Sequence, residues 1–189
     1  MNRMKLGGLA AALALGTTLT LGISPANAID IPPGSSVGAF THVKNGRSGL
    51  CLAVPGGSHG AAVQVNQFTC GNWNDHYWQL TLEFSTPQGA GWYSIRNFNS
   101  GQCLSVDAAR QDENAPVTQY PCGSPAPYVD QYWHPAGVAM TENGRVVEGW
   151  ILVNYNSRKC VGIQGGSSAN TAPAVQVDCD SGGASTLWQ

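Results

Sequence analysis

The chain contains the stretch NFNSGQCLSV at residues 97–106, and two variants of it occur elsewhere: NGRSGLCLAV at residues 45–54 and NYNSRKCVGI at residues 154–163. Each copy has an Asn six residues before its Cys, a Ser three residues before it and a Val or Ile three residues after it. A repeat of this size predicts several similar units packed together, because one unit cannot bury its own apolar side. We therefore expect a fold with threefold internal symmetry. The repeated Asn and Ser are expected to form turns.

The cysteines repeat in the same way and predict three disulfides. In each copy a second Cys follows the first by 19 residues, with a Gln three residues before it. Six cysteines allow many connectivities, but pairing within each unit is the simplest arrangement for three similar units. Zinc ligation fits poorly, since no pair has the short spacing that lets two thiolates hold one ion. The predicted structural disulfides are Cys51–Cys70, Cys103–Cys122 and Cys160–Cys179.

The composition favours short strands joined by loops. Gly and Pro number 24 and 11 among 189 residues, and aromatic residues make up 8%; this mixture is typical of an all-β domain. Charged residues make up only 11%, which excludes a charge-driven disordered tail and a coiled coil. Each unit has room for about four strands. Trp78, Trp133 and Trp188 recur at 55-residue intervals, and we expect them in a shared core.

The first 28 residues predict a secretory signal peptide. Arg3 and Lys5 precede an apolar run over residues 6–21, and Ala26-Asn27-Ala28 is a cleavage site of the Ala-x-Ala type. The run is short and interrupted by Gly, which argues against a membrane span. We therefore expect a secreted protein. The predicted layout is a short lead at residues 29–36 and one domain at residues 37–189, with repeats at about 37–88, 89–143 and 144–189.

Charge and motifs exclude several functions. Cleavage after residue 28 leaves seven basic and eleven acidic side chains in 161 residues, a net charge of −4. The basic residues are spread along the chain, whereas a nucleic-acid surface needs them clustered, so nucleic acid is excluded as a partner. No nucleophile, zinc-protease or phosphate-loop motif surrounds the four His residues. We expect no catalytic residues, no cofactor and no metal.

The disulfide-closed repeats resemble the ricin B-type lectin family, and the chain is identified as a secreted bacterial member of it. The resemblance rests on Cys-Leu or Cys-Val, a Gly-rich loop, a second Cys and an ending similar to Gln-x-Trp in each repeat. The ending is intact as Gln131-Tyr132-Trp133, and it is replaced by His76-Tyr77-Trp78 and Thr186-Leu187-Trp188 in the other repeats. The resemblance implies an all-β fold, the β-trefoil, and carbohydrate as the partner.

The resemblance also implies the layout of a sugar site. An acidic residue follows the first Cys, an aromatic platform stands two residues before the second, and a polar pair precedes the Trp. Such a site suits a pyranose, because the C–H face of the sugar stacks on a ring and its hydroxyls bond to charged and amide groups. In the middle repeat Ser105 takes the acidic position, and Asp107 is the nearest acid. The implied carbohydrate-binding residues are Ser105, Asp107, Tyr120, Asp130 and Gln131.

The other two repeats match less well. Ala53 replaces the acid of the first repeat, and its implied weaker site comprises Phe68, Asn74 and Asp75. The third repeat has Gly162, Val177 and Ser185-Thr186 at these positions, and we expect it to be structural only. Gln131 has an alternative role, in which its amide belongs to the scaffold and bonds a neighbouring backbone group.

Two functions of different classes follow. The first is a secreted carbohydrate-binding protein without catalytic activity, with sugar bound mainly by the middle repeat. The alternative is a trefoil scaffold with decayed sugar sites that binds or inhibits a protein partner through loops such as residues 110–114 and 124–128. The absence of an acid two residues after the first Cys in all three repeats motivates this alternative.

Overall fold

The computed structural model describes residues 39–142 and 144–189, which form an all-β structure. The predicted signal peptide and the whole of the predicted lead lie outside the described residues. The strands are β1 (Phe40–His42), β2 (Cys51–Ala53), β3 (Val63–Gln64), β4 (Asn66–Phe68), β5 (Tyr77–Ser85), β6 (Gly91–Asn97), β7 (Cys103–Val106), β8 (Val117–Tyr120), β9 (Trp133–Glu142), β10 (Arg145–Asn154), β11 (Cys160–Ile163) and β12 (Ala174–Val177).

Single turns of 3-10 helix interrupt the strands. They lie at Pro55–Gly57, Asn74–His76, Asp107–Ala109, Val129–Gln131, Gln164–Gly166 and Gly183–Ser185. These short turns are the only helical segments in the described part of the chain. None of the helices seen there has the length and apolar character needed to cross a membrane.

Antiparallel strands close into a barrel. β5 pairs with β1 and β6, and β9 pairs with β6 and β10. The C-terminal segment completes the ring, because Trp188 forms bridges to both Asn45 and Trp150. Lys44 and Gln189 exchange backbone hydrogen bonds of 2.8 and 2.7 Å at the same junction. The first and last repeats therefore meet without an unpaired strand edge between them.

Three hairpins outside the barrel supply one further strand pair per repeat: β2–β4, β7–β8 and β11–β12. The hairpins are linked to one another, since β3 pairs with β8 and isolated bridges join Pro116 to Val175 and Asn66 to Pro173. A closed barrel with a ring of three hairpins is a β-trefoil, which confirms the predicted fold class. The three disulfides are also confirmed, with Cα–Cα distances of 5.0, 5.1 and 5.0 Å.

The three repeat Trp residues lie in one apolar core, as predicted. Each is fully buried and belongs to the same cluster as the repeated Val54, Val106 and Ile163. A buried indole needs an acceptor for its N–H, and each Trp donates to a strand carbonyl of its own repeat. These pairs are Trp78 with Leu52 (2.9 Å), Trp133 with Leu104 (2.9 Å) and Trp188 with Val161 (3.0 Å).

The repeated Gln residues join each repeat to the loop of the one before it. The amide of Gln119 donates to the carbonyls of Ser58 and Gly60, both at 2.8 Å. Gln176 bonds residues 110 and 112 in the same way, and Gln67 bonds residues 167 and 169. The contacts therefore run in a cycle through all three repeats.

The repeated Asn residues form the predicted turns and a second cycle. Asn97 Oδ1 accepts from the backbone N–H of Asn99 and Ser100, and its amide donates to the carbonyl of Asp75 at 2.9 Å. Asn154 bonds the carbonyl of Asp130 at 2.8 Å, and Asn45 bonds that of Ser185 at 2.9 Å. Each Asn thus holds the turn that precedes the Trp of a neighbouring repeat.

Candidate functional site

An open hollow of about 730 Å³ lies on the middle repeat. Strands β7 and β8, the turn at Asp107–Ala109 and the segment at residues 127–130 line it. The fold brings four of the five residues of the predicted middle-repeat site into this lining, although positions 105 and 130 are 25 residues apart. These four residues are Ser105, Asp107, Tyr120 and Asp130.

Asp130 places a carboxylate beside Ser105, which stands at the position where the family pattern has an acid. Its Oδ2 accepts a hydrogen bond from Ser105 Oγ and another from the backbone N–H of Val106 at 3.2 Å. Asp130 is 6% exposed, and its Oδ1 takes no hydrogen bond from the described residues and is not enclosed. Ser105 therefore orients an acid that comes from the other end of the repeat, and one carboxylate oxygen remains for a ligand.

Asp107 lines the same hollow from the turn that follows β7. Its backbone is fixed at both ends, because its N–H donates to the carbonyl of Pro116 at 3.0 Å and its own carbonyl accepts from Arg110 at 3.1 Å. The carboxylate of this half-buried residue makes no hydrogen bond to the described residues. The hollow thus has a second carboxylate, separate from the one tied to Ser105.

Two tyrosine rings form the aromatic part of the hollow. Tyr120 ends β8 and is 40% exposed, in the predicted platform position. Tyr128 is 53% exposed, and its ring centroid lies 6.3 Å from that of Tyr120 at an interplanar angle of 60°. Two partly exposed rings at this distance suit the C–H face of a ring-shaped ligand. The predicted sugar site did not include Tyr128, which was assigned only to the loop at residues 124–128.

The side chain of Gln131 bonds neighbouring backbone groups, as expected if its amide belongs to the scaffold. It is fully buried; its Oε1 accepts from the N–H groups of Gly123 (3.0 Å) and Tyr128 (3.1 Å), and its amide donates to the carbonyl of Pro121 (3.0 Å). The side chain does not line the hollow. Through its bond to the backbone of Tyr128, it fixes the segment that carries this ring.

The first repeat has a smaller hollow of about 420 Å³ at the equivalent place. The predicted Phe68 and Asp75 line it, whereas the predicted Asn74 is exposed and lies outside the lining. Trp73, which was not predicted, is 53% exposed, and its ring centroid lies 6.2 Å from that of Phe68. Trp73 and Tyr128 each stand five residues before a repeat Trp, a spacing that could have identified both.

His76 occupies the position of Gln131 in this repeat and lines the first hollow. Its Nε2 lies 3.6 Å from Asp75 Oδ2. Burial lowers the pKa of His76 below its usual value of about 6.5, and His42 acts in the same direction, while the Asp75 carboxylate opposes them. His76 is therefore neutral at pH 7.

The third repeat is packed where the other two are hollow. A Cβ added to Gly162 would meet Val177 Cγ2 at 2.8 Å and Thr186 Cγ2 at 3.1 Å, so these side chains fill the space. Ser185 and Thr186 are buried, and each hydroxyl donates to a carbonyl within its own turn. Across residues 39–142 and 144–189, His, Cys, Asp and Glu do not cluster in any group that could hold a metal ion.

The chain matches two related family models. A ricin-type beta-trefoil lectin domain model matches residues 91–189, and a model described as ricin-type beta-trefoil lectin domain-like matches residues 31–120. No curated protein sequence matches the chain.

Solved structures share the fold at low sequence identity. A designed threefold symmetric protein, ThreeFoil, superposes with a TM-score of 0.66 at 23% identity, covering 79% of this chain and 96% of that one. The ricin B-like lectin of Macrolepiota procera in complex with lactose gives 0.60 at 13% identity, covering 82% and 96%. The exo-beta-1,3-galactanase 1,3Gal43A from Clostridium thermocellum gives 0.66 at 22% identity, and 82% of this chain corresponds to only 30% of the galactanase.

Proposed function

The chain belongs to the ricin-type β-trefoil lectin family, and from this premise we propose that it is a secreted carbohydrate-binding protein without catalytic activity, whose main site is the middle-repeat hollow. The observation that carries the proposal is the Asp130 carboxylate, held by Ser105 and the Val106 N–H beside two exposed tyrosine rings. Export and a bacterial origin belong to the same proposal, and the N-terminal sequence supports export.

The middle-repeat hollow has the chemistry that a pyranose requires. Asp130 Oδ1 and the Asp107 carboxylate accept hydrogen bonds from adjacent hydroxyls, while Tyr120 and Tyr128 contact the C–H face of the ring. Because Asp130 Oδ2 already accepts two hydrogen bonds, the acid does not need to reorganise when the sugar binds. The hollow is shallow, so we expect dissociation constants on the order of millimolar to tens of micromolar.

The proposal of binding without turnover rests on the role of the two carboxylates. Glycoside hydrolysis needs one carboxyl group that donates a proton to the leaving oxygen. Two hydrogen-bond donors hold Asp130 as an acceptor, an arrangement that suits binding of a hydroxyl. The fold neighbours include the galactanase named above, but the chain corresponds to less than a third of it.

The alternative, a protein-binding scaffold, loses its main motivation in the middle repeat. The missing acid after Cys103 is compensated there by Asp130. One of the loops assigned to that alternative is occupied by internal ion pairs, because Arg110 bonds Asp112, and Lys159 contacts Glu113 at 3.0 Å. The other loop contributes Tyr128 to the hollow.

A glycan array and a polysaccharide pull-down test the proposed function. We expect the parent chain to bind a set of glycans, and Asp130→Asn and Tyr120→Ala each to lose most of that binding. Asp180→Asn serves as the control, because Asp180 is an exposed carboxylate outside both hollows. Binding that survives both site variants would show that the middle hollow is not the site. A tight protein partner whose binding ignores free sugars would instead support the alternative.

A further inference from the structure

An aromatic cluster lies at the junction of strands β5, β6, β9 and β10, and none of its members lines either hollow. Phe84 on β5 is paired with Trp92 on β6, while Tyr132 precedes β9 and Tyr155 follows β10. The ring centroids of Trp92 and Tyr155 lie 4.9 Å apart, and those of Phe84 and Tyr132 lie 5.2 Å apart. Phe84 is 37% exposed, so the cluster presents an apolar surface at this ring.

The guanidinium of Arg158 lies over this cluster. Its Cζ is 5.2 Å from the ring centroid of Trp92 and 5.0 Å from that of Tyr155, distances typical of cation–π contacts. The side chain is exposed and makes no hydrogen bond or ion pair with any residue in 39–142 or 144–189. Three other cations each pair with a carboxylate: Arg47, Arg110 and Lys159. Arg158 is therefore a positioned cation whose planar set of N–H donors is free.

The backbone at Arg158 has a conformation that favours Gly. Its φ is 61°, and the equivalent positions in the other repeats, four residues after the repeated Asn, are Gly49 and Gly101, both with a φ of 69°. A Cβ added to either Gly would meet no atom within 4 Å, so packing does not require a side chain there. An L residue at positive φ is strained, and such strain is typical of functional positions. The third repeat thus has an Arg where the repeat pattern and the backbone both favour Gly.

Trp92 contributes a buried donor that has no acceptor. The residue is 5% exposed, and its Nε1 has no hydrogen-bond partner among the described residues. The three repeat Trp residues, by contrast, each donate to a carbonyl. Buried indole N–H groups nearly always have a partner, so an unpartnered one under a free cation indicates a missing acceptor.

The two tyrosine hydroxyls of the cluster add further donors. Neither Tyr132 nor Tyr155 makes a side-chain hydrogen bond within the parts of the chain that the structure describes. Burial, and to a smaller extent the Glu83 carboxylate and Tyr155, raise the pKa of Tyr132 above its usual value of about 10, so its hydroxyl stays protonated. Glu83 accepts a hydrogen bond from Ser94 Oγ at 2.6 Å and forms no ion pair with Arg158. The hydroxyls and Arg158 therefore remain available to an acceptor on a ligand.

We propose that Arg158 and the aromatic cluster form a binding site for a carboxylate carried on an apolar body, separate from both hollows. The guanidinium donates two parallel hydrogen bonds to the carboxylate, a geometry to which Arg is suited. The exposed part of Phe84 contacts the apolar part of the ligand. A small apolar acid and the C-terminal residue of a polypeptide share this chemistry. The site does not rest on the proposed function.

The charge and the donor pattern favour a carboxylate over other ligands. Aromatic rings attract cations, but Arg158 already covers the rings of Trp92 and Tyr155 and repels a second positive charge. A hydroxyl group donates as well as accepts, whereas a carboxylate only accepts and so matches a set of donors. Because the Glu83 carboxylate acts on Tyr132, we expect the ligand carboxylate at the Arg158 end of the cluster.

NMR titration of the full chain with N-acetylphenylalanine tests the proposal, and the neutral amide of this compound serves as the control ligand. The indole N–H of Trp92 and the Nε–H of Arg158 report on the site. We expect the acid to shift both signals with a dissociation constant on the order of millimolar, and the amide to bind at least about tenfold more weakly, because it lacks the charge that the guanidinium recognises. Equal shifts with the two compounds, or no shift with the acid, would overturn the site.

Arg158→Gly gives the third repeat the residue of the other two. We expect affinity for N-acetylphenylalanine to fall by about tenfold or more, while the melting temperature stays the same or rises because the strain at positive φ is removed. Arg158→Lys keeps the charge but loses the planar fork, and we expect a loss of about threefold or more. Arg145→Gln is the control, since Arg145 is an exposed cation that contacts none of these rings. Affinity in Arg158→Gly equal to that of the parent would contradict the role of Arg158.

Further ligands distinguish the sources of the carboxylate. A peptide that ends in Phe with a free C-terminus and binds more tightly than N-acetylphenylalanine would assign the site to polypeptide C-termini, and equal affinity would assign it to small acids. Inorganic sulfate that binds as tightly as the acid would overturn the role of the apolar body.

The Asp130→Asn variant separates this site from the proposed function. We expect the response to N-acetylphenylalanine to persist in this variant, because Asp130 lines the middle hollow and lies outside the aromatic cluster. Loss of the response in Asp130→Asn would contradict a separate site. A chain that binds glycans but not the acid would overturn only the Arg158 site.

Discussion

Ser105 Oγ donates a hydrogen bond to Asp130 Oδ2, and so joins the strand after the first Cys of the middle repeat to the turn before its Trp. This bond explains how a repeat without an acid at position 105 keeps a carboxylate in its hollow. In the proposed function this bond makes Ser105 a positioning residue, since it occupies Asp130 Oδ2 and leaves Oδ1 for the sugar.

Removal of this hydroxyl should weaken binding without unfolding the domain. In Ser105→Ala, Asp130 keeps only the Val106 N–H as a donor and loses its fixed orientation. Because hydrogen bonds to charged groups contribute about 1.5–3 kcal/mol, we expect affinity for the best array glycan to fall by about tenfold or more. Isothermal titration calorimetry measures this effect. Unchanged binding in Ser105→Ala would contradict the role of the bond. The converse variant in the first repeat, Ala53→Ser, should bring a hydroxyl toward Asp75.

The aromatic platform should depend on the ring of Tyr120 rather than on its hydroxyl. Tyr120→Ala removes a face that stacks on the sugar, and we expect a loss of affinity of about tenfold. Tyr120→Phe keeps the face and should retain binding within about threefold. Isothermal titration calorimetry of the parent chain and both variants with the same glycan measures the two effects. Equal losses in the two variants would show that the hydroxyl, and not the ring face, makes the contact.

Acidification should destabilise the fold through His76. The folded state lowers the pKa of this residue, mainly by burial, so below about pH 6.5 the unfolded chain binds more protons at this position than the folded chain. The stabilisation is complete above that pH and is lost as pH falls toward the lower native pKa. Urea unfolding at pH 7.5 and pH 5 measures the change in free energy. His76→Gln should make the two values more similar, and an identical pH dependence in the variant would rule out this cause.

The cycle of Gln contacts should contribute strongly to stability. Gln119→Ala removes two bonds to the loop carbonyls of the first repeat and leaves Ser100 Oγ without its acceptor. We expect a loss of about 2–4 kcal/mol in the free energy of unfolding, because buried partners are left unsatisfied. Gln111→Ala provides the control, since Gln111 is exposed and makes one surface bond to Asn156. A cost no larger than that of the control would contradict the scaffold role.

The fold was predictable because its determinants recur at fixed spacing. Equal intervals between cysteines and between Trp residues identify three copies, and three copies with one disulfide each fit the trefoil. The turn-forming role of the repeated Asn and the core position of the repeated Trp also follow from their places in each unit, since Asn97 Oδ1 accepts from the backbone of its own turn and Trp78 bonds a strand of its own repeat. For these residues, the position in the repeated sequence was enough to predict the contact seen in the fold.

The sites were only partly predictable, because their residues come from segments that meet after the chain has turned back. The sequence places Asp130 near Trp133 but does not show that its carboxylate reaches Ser105 on another strand. Counting from the second Cys also hides the equivalence of Trp73 and Tyr128, since the loops before them differ in length by three residues.

If the middle hollow binds sugar as proposed, the bond from the Asn154 amide to the carbonyl of Asp130 gives the third repeat a part in recognition, although its own hollow is filled. A mutation in that copy can impair binding elsewhere in the molecule by releasing the turn that carries the acid. A copy whose own hollow is filled therefore still constrains the hollow of the copy before it, and its sequence cannot be altered at Asn154 without cost to that neighbour.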